Sequence, residues 1–381
     1  MLPYSRQSID NTDIEAATDV LRSSWLTTGP AVQEFERELA NKLGAAHAVS
    51  LSNGTAALHA CMNVLEIGPG DEVLVPALTF VASANCIIYQ GGTPVFIDVE
   101  PDTLLIDPVD VERKINSKTK AVITVDFAGQ ACSYSSIRQI TDHHNIPLVA
   151  DSCHSLGGKY QGRSVGTIAD LNVFSFHPVK AITSGEGGAV TTSNDAFAGH
   201  IRNFRNHGIT STHHQRSALG EFAYEMTDLG FNYRMSDMQC ALALNQLTKL
   251  EEFTSRRQEI AFAYDLAFSD LSWLEPVKRS AGVHHAYHLY VIKVLQEELG
   301  VDRDIVFKAL RAENIGVNVH YTPVYWHPYY SERGYKKKSC PVAEKAYSQI
   351  MSLPIFPAMT NRDIEDVVSA IRKISEGFPD R

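Results

Sequence analysis

Lys180 lies in the stretch FSFHPVKAITSGEGG, residues 174–188, where an aromatic, apolar run gives way to a glycine-rich turn. Burial disfavours the charged form of a lysine, and the neutral amine that results can attack a carbonyl to form a Schiff base. A solvated loop lysine is the plainer reading of the same residue. Asp151 ends the run PLVAD, whose residues suit a buried strand, and is followed at once by SCHS. A carboxylate there either caps the next helical turn or faces a cationic group of a ligand. His154, three residues on, can brace it or touch the same ligand.

Three further sites complete the chemistry. In SNGTAALHA, residues 52–60, a strand runs into Gly54 and Thr55 and a helix begins at once. The free N–H groups of a first helical turn, with the helix dipole, make a cradle for a phosphate, and a glycine lets it come close. A glycine turn that merely caps a helix has the same pattern. Phe80, in VPALTFVAS, is either a core aromatic or a ring lying flat on a planar ligand. Ser175 supplies a hydroxyl near Lys180. Together these residues ask for one ligand with an anionic group, an aldehyde, a flat ring and a basic ring nitrogen. Pyridoxal 5′-phosphate has all four, and a protein serves it with a lysine, a carboxylate at the ring nitrogen and a phosphate cup.

The elements that must position these residues are legible from periodicity. PAVQEFERELANKLG sets Val32, Phe35, Leu39 and Leu43 on one helical face, with Pro30 in the first turn and Gly44 at the C-terminal cap. The runs AHAVSLS, DEVLVP, PVFIDV, KAVITVDF and IPLVADS are apolar and β-branched, and helical patterns separate them. That alternation implies βαβ units and a mostly parallel sheet, whose ligands sit beyond the carboxyl ends of the strands. LNVFSFH and GGAVTTSN read as two more strands. The fold class is therefore α/β, with a large domain over residues 1–250. After about residue 245 a long amphipathic helix leads to a mixture of strands and helices, a smaller α+β domain over 251–381.

Bulk properties narrow the function classes. The chain has 381 residues, 44% hydrophobic and 20% charged, an ordinary globular composition. A net charge of −10 argues against nucleic-acid binding. The six cysteines form no CxxC pair, so reduced core thiols are expected. Histidine pairs at His143, His213 and His284 lack the company of a metal motif, and no metal is expected. No run approaches a membrane span, so no membrane partner is expected and the reading is cytoplasmic. SNGTAALHA is not GxGxxG, which disfavours a dinucleotide oxidoreductase.

The ordered set WLTTGPAVQEFE, SNGTAALHA, PALTFVASAN, VADSCHSLG, FSFHPVKAITSGEGG and LGFNYRMSDMQCAL resembles the DegT/DnrJ/EryC1 sugar-nucleotide aminotransferases over nearly the whole chain. The resemblance implies the aspartate-aminotransferase-like fold, fold type I of the pyridoxal phosphate enzymes. It makes Lys180 the Schiff-base lysine and general base, and Asp151 the partner of the pyridine nitrogen. His154 would lie beside the phenolic oxygen and Phe80 would stack on the ring. Gly54, Thr55 and Ser175 would form the phosphate cup. Asn232, in GFNYR, would reach the cofactor phosphate of a neighbouring subunit, which implies a homodimer with shared active sites. The expected substrates are L-glutamate and a keto-sugar nucleotide. HAYHLYVIKV and VNVHYTPVYWHPYY look most like the transaminases of pseudaminic acid biosynthesis, which use a UDP-linked 4-keto-6-deoxy-N-acetyl-hexosamine. His320 and Tyr321 would then enter the sugar-nucleotide site, although an aromatic core strand broken by proline has a similar pattern. A relative acting on a dTDP- or GDP-linked keto sugar is the alternative within the family. A non-catalytic regulatory protein that kept the fold is the alternative outside it, weakened by the retention of both Lys180 and Asp151.

Overall fold

The computed structural model describes residues 1–211, 216, 220 and 222–378. Its central sheet has seven strands: β1 (His47–Leu51), β2 (Glu72–Pro76), β3 (Thr93–Ile97), β4 (Thr119–Val125), β5 (Leu148–Asp151), β6 (Leu171–Ser175) and β7 (Gly188–Thr192). Their order is β1-β7-β6-β5-β4-β2-β3. Strands β6, β5, β4, β2 and β3 pair in parallel, and β7 runs against both of its neighbours. The sheet is mostly parallel, as the alternating pattern requires.

The register decides where the ends converge. Gly188 pairs with Leu51 on one side and with Ser175 on the other. Asp151 pairs with Val173 and with Val125. The C-terminal ends of β1, β4, β5 and β6 therefore lie along one edge, and the loops that leave them share one space.

Four helices flank this edge or brace it: α1 (Asn11–Arg22), α2 (Pro30–Leu43), α3 (Gly54–Val64) and α4 (Ala82–Tyr89). Helix α2 starts on Pro30 and stops at Gly44, whose φ of 76° is left-handed, the conformation glycine adopts without penalty. Its buried face carries Phe35, Leu39 and Leu43, while Val32 is only half-buried. Helix α1 is pinned through Asp13, a buried carboxylate that accepts from Gln246 Nε2 at 2.8 Å and Lys249 Nζ at 2.9 Å.

The helix Leu250–Ala267 leads into the C-terminal segment. A second core gathers Ile260, Tyr264, Trp273, Ile292, Met351 and Ile371 around a three-stranded antiparallel sheet. Val291, Val324, Tyr325 and Cys340 instead join the core of the large sheet, so residues beyond 250 feed both. The buried guanidinium of Arg257 donates to the carbonyls of Ile355 at 2.8 Å and Tyr287 at 3.3 Å. Segments of the C-terminal half are thereby tied to the helix that leads into it. Among the described residues no helix is long and apolar enough to cross a membrane.

Candidate active site

A cavity of about 820 Å³ opens at the carboxyl edge of the large sheet. Lys180, Asp151, His154, Phe80, Gly54, Thr55, Ser175, His320 and Tyr321 all line it. Nine of the ten residues singled out from the sequence thus meet in one space. The tenth, Asn232, does not line the cavity; it is exposed and pairs with Asn206 in an isolated bridge, although its neighbour Tyr233 reaches the wall. His213 lies outside the described residues.

Lys180 sits in the loop between β6 and β7, a chain reversal closed by the Phe176 N–H on the Gly187 carbonyl at 2.8 Å. Its own N–H donates to the His177 carbonyl at 2.9 Å, and among the described residues its Nζ has no hydrogen-bond partner. Burial lowers its pKa, an effect partly opposed by Cys153 and Asp151. The amine is thereby made easier to deprotonate, as a nucleophile or base requires.

Asp151 is the last residue of β5 and only 7% exposed. Its Oδ2 accepts from Ser83 Oγ at 2.7 Å, and its Oδ1 from the Cys153 N–H at 3.3 Å. The cap reading is not supported, because residues 153–157 form turns and no helix follows.

At the other end of the cavity α3 begins on Gly54, with Asn53 as its cap accepting from the Ala56 N–H at 2.8 Å. A Cβ on Gly54 would lie 3.1 Å from Ser175 Cβ and 3.2 Å from Cys153 Sγ. A Cβ on Gly188 would lie 2.4 Å from the Asn53 carbonyl carbon. Two glycines and a serine therefore crowd around the first turn of an 11-residue helix, whose free N–H groups attract anions.

His154 is buried, and its Nε2 is 3.2 Å from the Tyr321 hydroxyl. Its Nδ1 is buried without a partner among the described residues. Burial first, then Lys180, pushes its pKa well below the ordinary range, so the ring is neutral. His320 is pushed down to about 3 by burial and by Lys180, and its Nδ1 meets Ser352 Oγ at 2.8 Å. Phe80, 55% exposed, stands with its ring 6.0 Å from that of Tyr321.

Residues not anticipated from the sequence also contribute. Tyr4, Cys153, Glu186, His288 and Asn318 line the same cavity. Tyr4 arrives from the extreme N-terminus because Leu2 pairs with Ile315 and the Ile355 N–H donates to the Tyr4 carbonyl. No local pattern marks such a long-range placement. His288 could have been noticed as a polar residue in the apolar run HAYHLYVIKV.

The residues present fit pyridoxal phosphate. Among the described residues, an amine without a protein partner, a carboxylate with one oxygen nearly free, a glycine-lined helix start and an unpartnered histidine nitrogen surround one cavity. The group's aldehyde, ring nitrogen, phosphate and phenolic oxygen need those four partners.

The family model of the DegT/DnrJ/EryC1/StrS aminotransferases matches residues 7–372. The spore coat polysaccharide biosynthesis protein SpsC of Bacillus subtilis is 41% identical over 380 residues, covering 99% of this chain and 97% of its own. A sugar aminotransferase of Streptococcus pneumoniae in its pyridoxamine phosphate form shares 32% identity with a TM-score of 0.94, covering 99% of this chain and 100% of its own. The same protein is known in its pyridoxal phosphate form, at 31% identity and a TM-score of 0.93, covering 99% of each chain. PseC of Helicobacter pylori, an aminotransferase of pseudoaminic acid biosynthesis, shares 31% identity with a TM-score of 0.92, covering 99% of this chain and 100% of its own. With the fold, the cavity and these matches in agreement, the chain belongs to the DegT/DnrJ/EryC1/StrS family of sugar aminotransferases, whose cofactor is pyridoxal phosphate.

Proposed function

We propose that this enzyme moves the amino group of L-glutamate to the C4 keto carbon of a UDP-linked 4-keto-6-deoxy-N-acetyl-hexosamine, giving a 4-amino-4,6-dideoxy sugar. The observation that carries the chemistry is the meeting of the Lys180 amine, the Asp151 carboxylate and the α3 N-terminus around one cavity. The sugar assignment rests on the likeness to PseC and SpsC and on the HYTPVY segment.

When bound, pyridoxal phosphate supplies an electron-withdrawing ring that acidifies the carbon bearing the amine and carries nitrogen between the two substrates. The protein residues have separate tasks. Lys180 Nζ would hold the aldehyde, and it would be the base that takes the proton from the donor α-carbon and the acid that gives one to the sugar carbon. Asp151 holds a proton at the ring nitrogen. Gly54, Thr55 and Ser175 hold the phosphate, and Phe80 covers one ring face. His154, kept neutral, meets the phenolic oxygen. His320 and Tyr321 bind the sugar nucleotide.

A second copy of the chain completes the site in this reading. Phe222, Met226, Leu229, Phe231 and Met238 are exposed and flank Asn232 along the chain. Monomers rarely leave so many large apolar side chains in water along one stretch. Asn232 then serves the phosphate of the other subunit, and the enzyme works in the cytoplasm.

The test is a panel of UDP-, dTDP- and GDP-linked 4-keto sugars with L-glutamate, products identified by mass spectrometry and NMR. Amination confined to the UDP-N-acetyl-hexosamine supports the reading. Preference for a dTDP or GDP sugar moves it to the alternative within the family.

A further inference from the structure

The segment Thr79–Ser83 that carries Phe80 toward the cavity also holds two buried hydroxyls. Thr79 and Ser83 are 2% and 0% exposed. Ser83 Oγ lies 2.7 Å from Asp151 Oδ2, and Thr79 Oγ1 lies 2.8 Å from Ser83 Oγ. An ionised carboxylate only accepts, so the single hydroxyl proton of Ser83 is committed to Asp151. The Thr79 hydroxyl must then donate to Ser83. The two hydroxyls then donate in sequence toward Oδ2, and each bond polarises the next.

From these distances we propose that Thr79 and Ser83 are positioning residues, a one-way hydroxyl relay that orients Asp151 and holds the ring-nitrogen proton on the cofactor side. Hydrogen bonds donated to a carboxylate stabilise its charged form and weaken its pull on a proton it shares. With Oδ2 engaged by Ser83, Oδ1 receives only the longer Cys153 N–H bond. The thiols of Cys61, Cys86 and Cys153 are all held protonated by burial, so no second negative charge crowds Asp151. One short turn thus serves both the face of the ring, through Phe80, and its nitrogen, through Ser83.

The inference rests on the reading of Asp151 as the partner of the ring nitrogen, and the experiment separates the two. Apoprotein is loaded with pyridoxal phosphate labelled with 15N in the ring, and the 15N resonance is recorded for the unaltered protein, Ser83→Ala, Ser83→Thr and the near-isosteric Thr79→Val. The expected result is a protonated position in the unaltered protein and in Ser83→Thr. Ser83→Ala is expected to move clearly toward the unprotonated position, and Thr79→Val less so in the same direction. The loss of a hydrogen bond to a charged group predicts a fall of about tenfold in the L-glutamate half-reaction for Ser83→Ala. Placed on Asp151→Asn, the same change is expected to add less than about a twofold further loss, because the relay no longer ends on a charged acceptor. An unprotonated ring in the unaltered protein overturns the role of Asp151 itself. A protonated ring with unmoved resonances in both Ser83→Ala and Thr79→Val overturns the relay alone, as does an undiminished effect of Ser83→Ala in the Asp151→Asn background. Should Ser83→Ala not fold, Thr79→Val decides by the same resonance.

Discussion

The rings of His154 and His288 lie 4.3 Å apart, centroid to centroid, in the wall of the cavity. Neither Nδ1 has a hydrogen-bond partner among the described residues, and both side chains are buried. Two imidazoles at that distance cannot both carry charge without strong repulsion. Burial pushes both pKa values well below the ordinary range, with Lys180 adding to the effect on each.

This neutral pair makes the stability of the cofactor-free protein depend on pH. A histidine whose folded pKa is depressed binds a proton more readily when unfolded, so stability is lost as pH falls below the unfolded value of about 6.5. Each such histidine contributes a slope of about 1.4 kcal/mol per pH unit there. His320, pushed down to about 3, adds to the slope over that window. Urea midpoints of the apoprotein are expected to drop steadily from pH 7 to pH 5. A flat profile would show that the cluster accepts a proton without cost.

Lys180→Ala removes the amine while sparing the core, since Lys180 makes no side-chain hydrogen bond among the described residues and is only half-buried. Turnover is expected to fall by more than about a thousandfold, the scale of a missing nucleophile and base. Far-ultraviolet circular dichroism should be unchanged. Near-normal transamination by the purified variant would refute the assignment.

Gly188→Ala tests the phosphate end. The new methyl would come within 2.4 Å of the Asn53 carbonyl carbon and 2.7 Å of the Gly54 nitrogen. Backbone cannot give way cheaply, and overpacking of this kind costs about 1–3 kcal/mol or more. The start of α3 must shift, so cofactor affinity, measured by fluorescence titration of the apoprotein, is expected to weaken at least about tenfold. Gly199→Ala, where a Cβ meets nothing within 4 Å, serves as the control and should bind normally.

The shared-site reading is tested by mixing. Neither Lys180→Ala nor Asn232→Ala protein should be fully active alone. A mixed dimer would hold one site with both an intact Lys180 and an intact Asn232, so random exchange should restore about a quarter of normal activity. Mixing that restores nothing, while sedimentation shows subunits exchanging, would place Asn232 outside the site of its partner.

The seven strands of the large sheet, the capped α2 helix and the candidate residues Lys180, Asp151 and Gly54 were all legible in the chain itself. Periodicity and capping are local, written within ten or so residues of the features they describe. The reversed direction of β7 was not legible, because LNVFSFH and GGAVTTSN read as strands without stating how they pair. Nor was the crowding of Gly188 on Asn53, which depends on that pairing. Tyr4, His288 and Asn318 reach the cavity through contacts between segments hundreds of residues apart. Ser83 carries no local signal and is the support of a carboxylate only because α4 lies beside the end of β5. The sequence by itself determined which residues could do the chemistry, since that depends on side-chain type and local context. The tertiary structure alone decided which of them meet, because strand order and register bring distant ends to one edge.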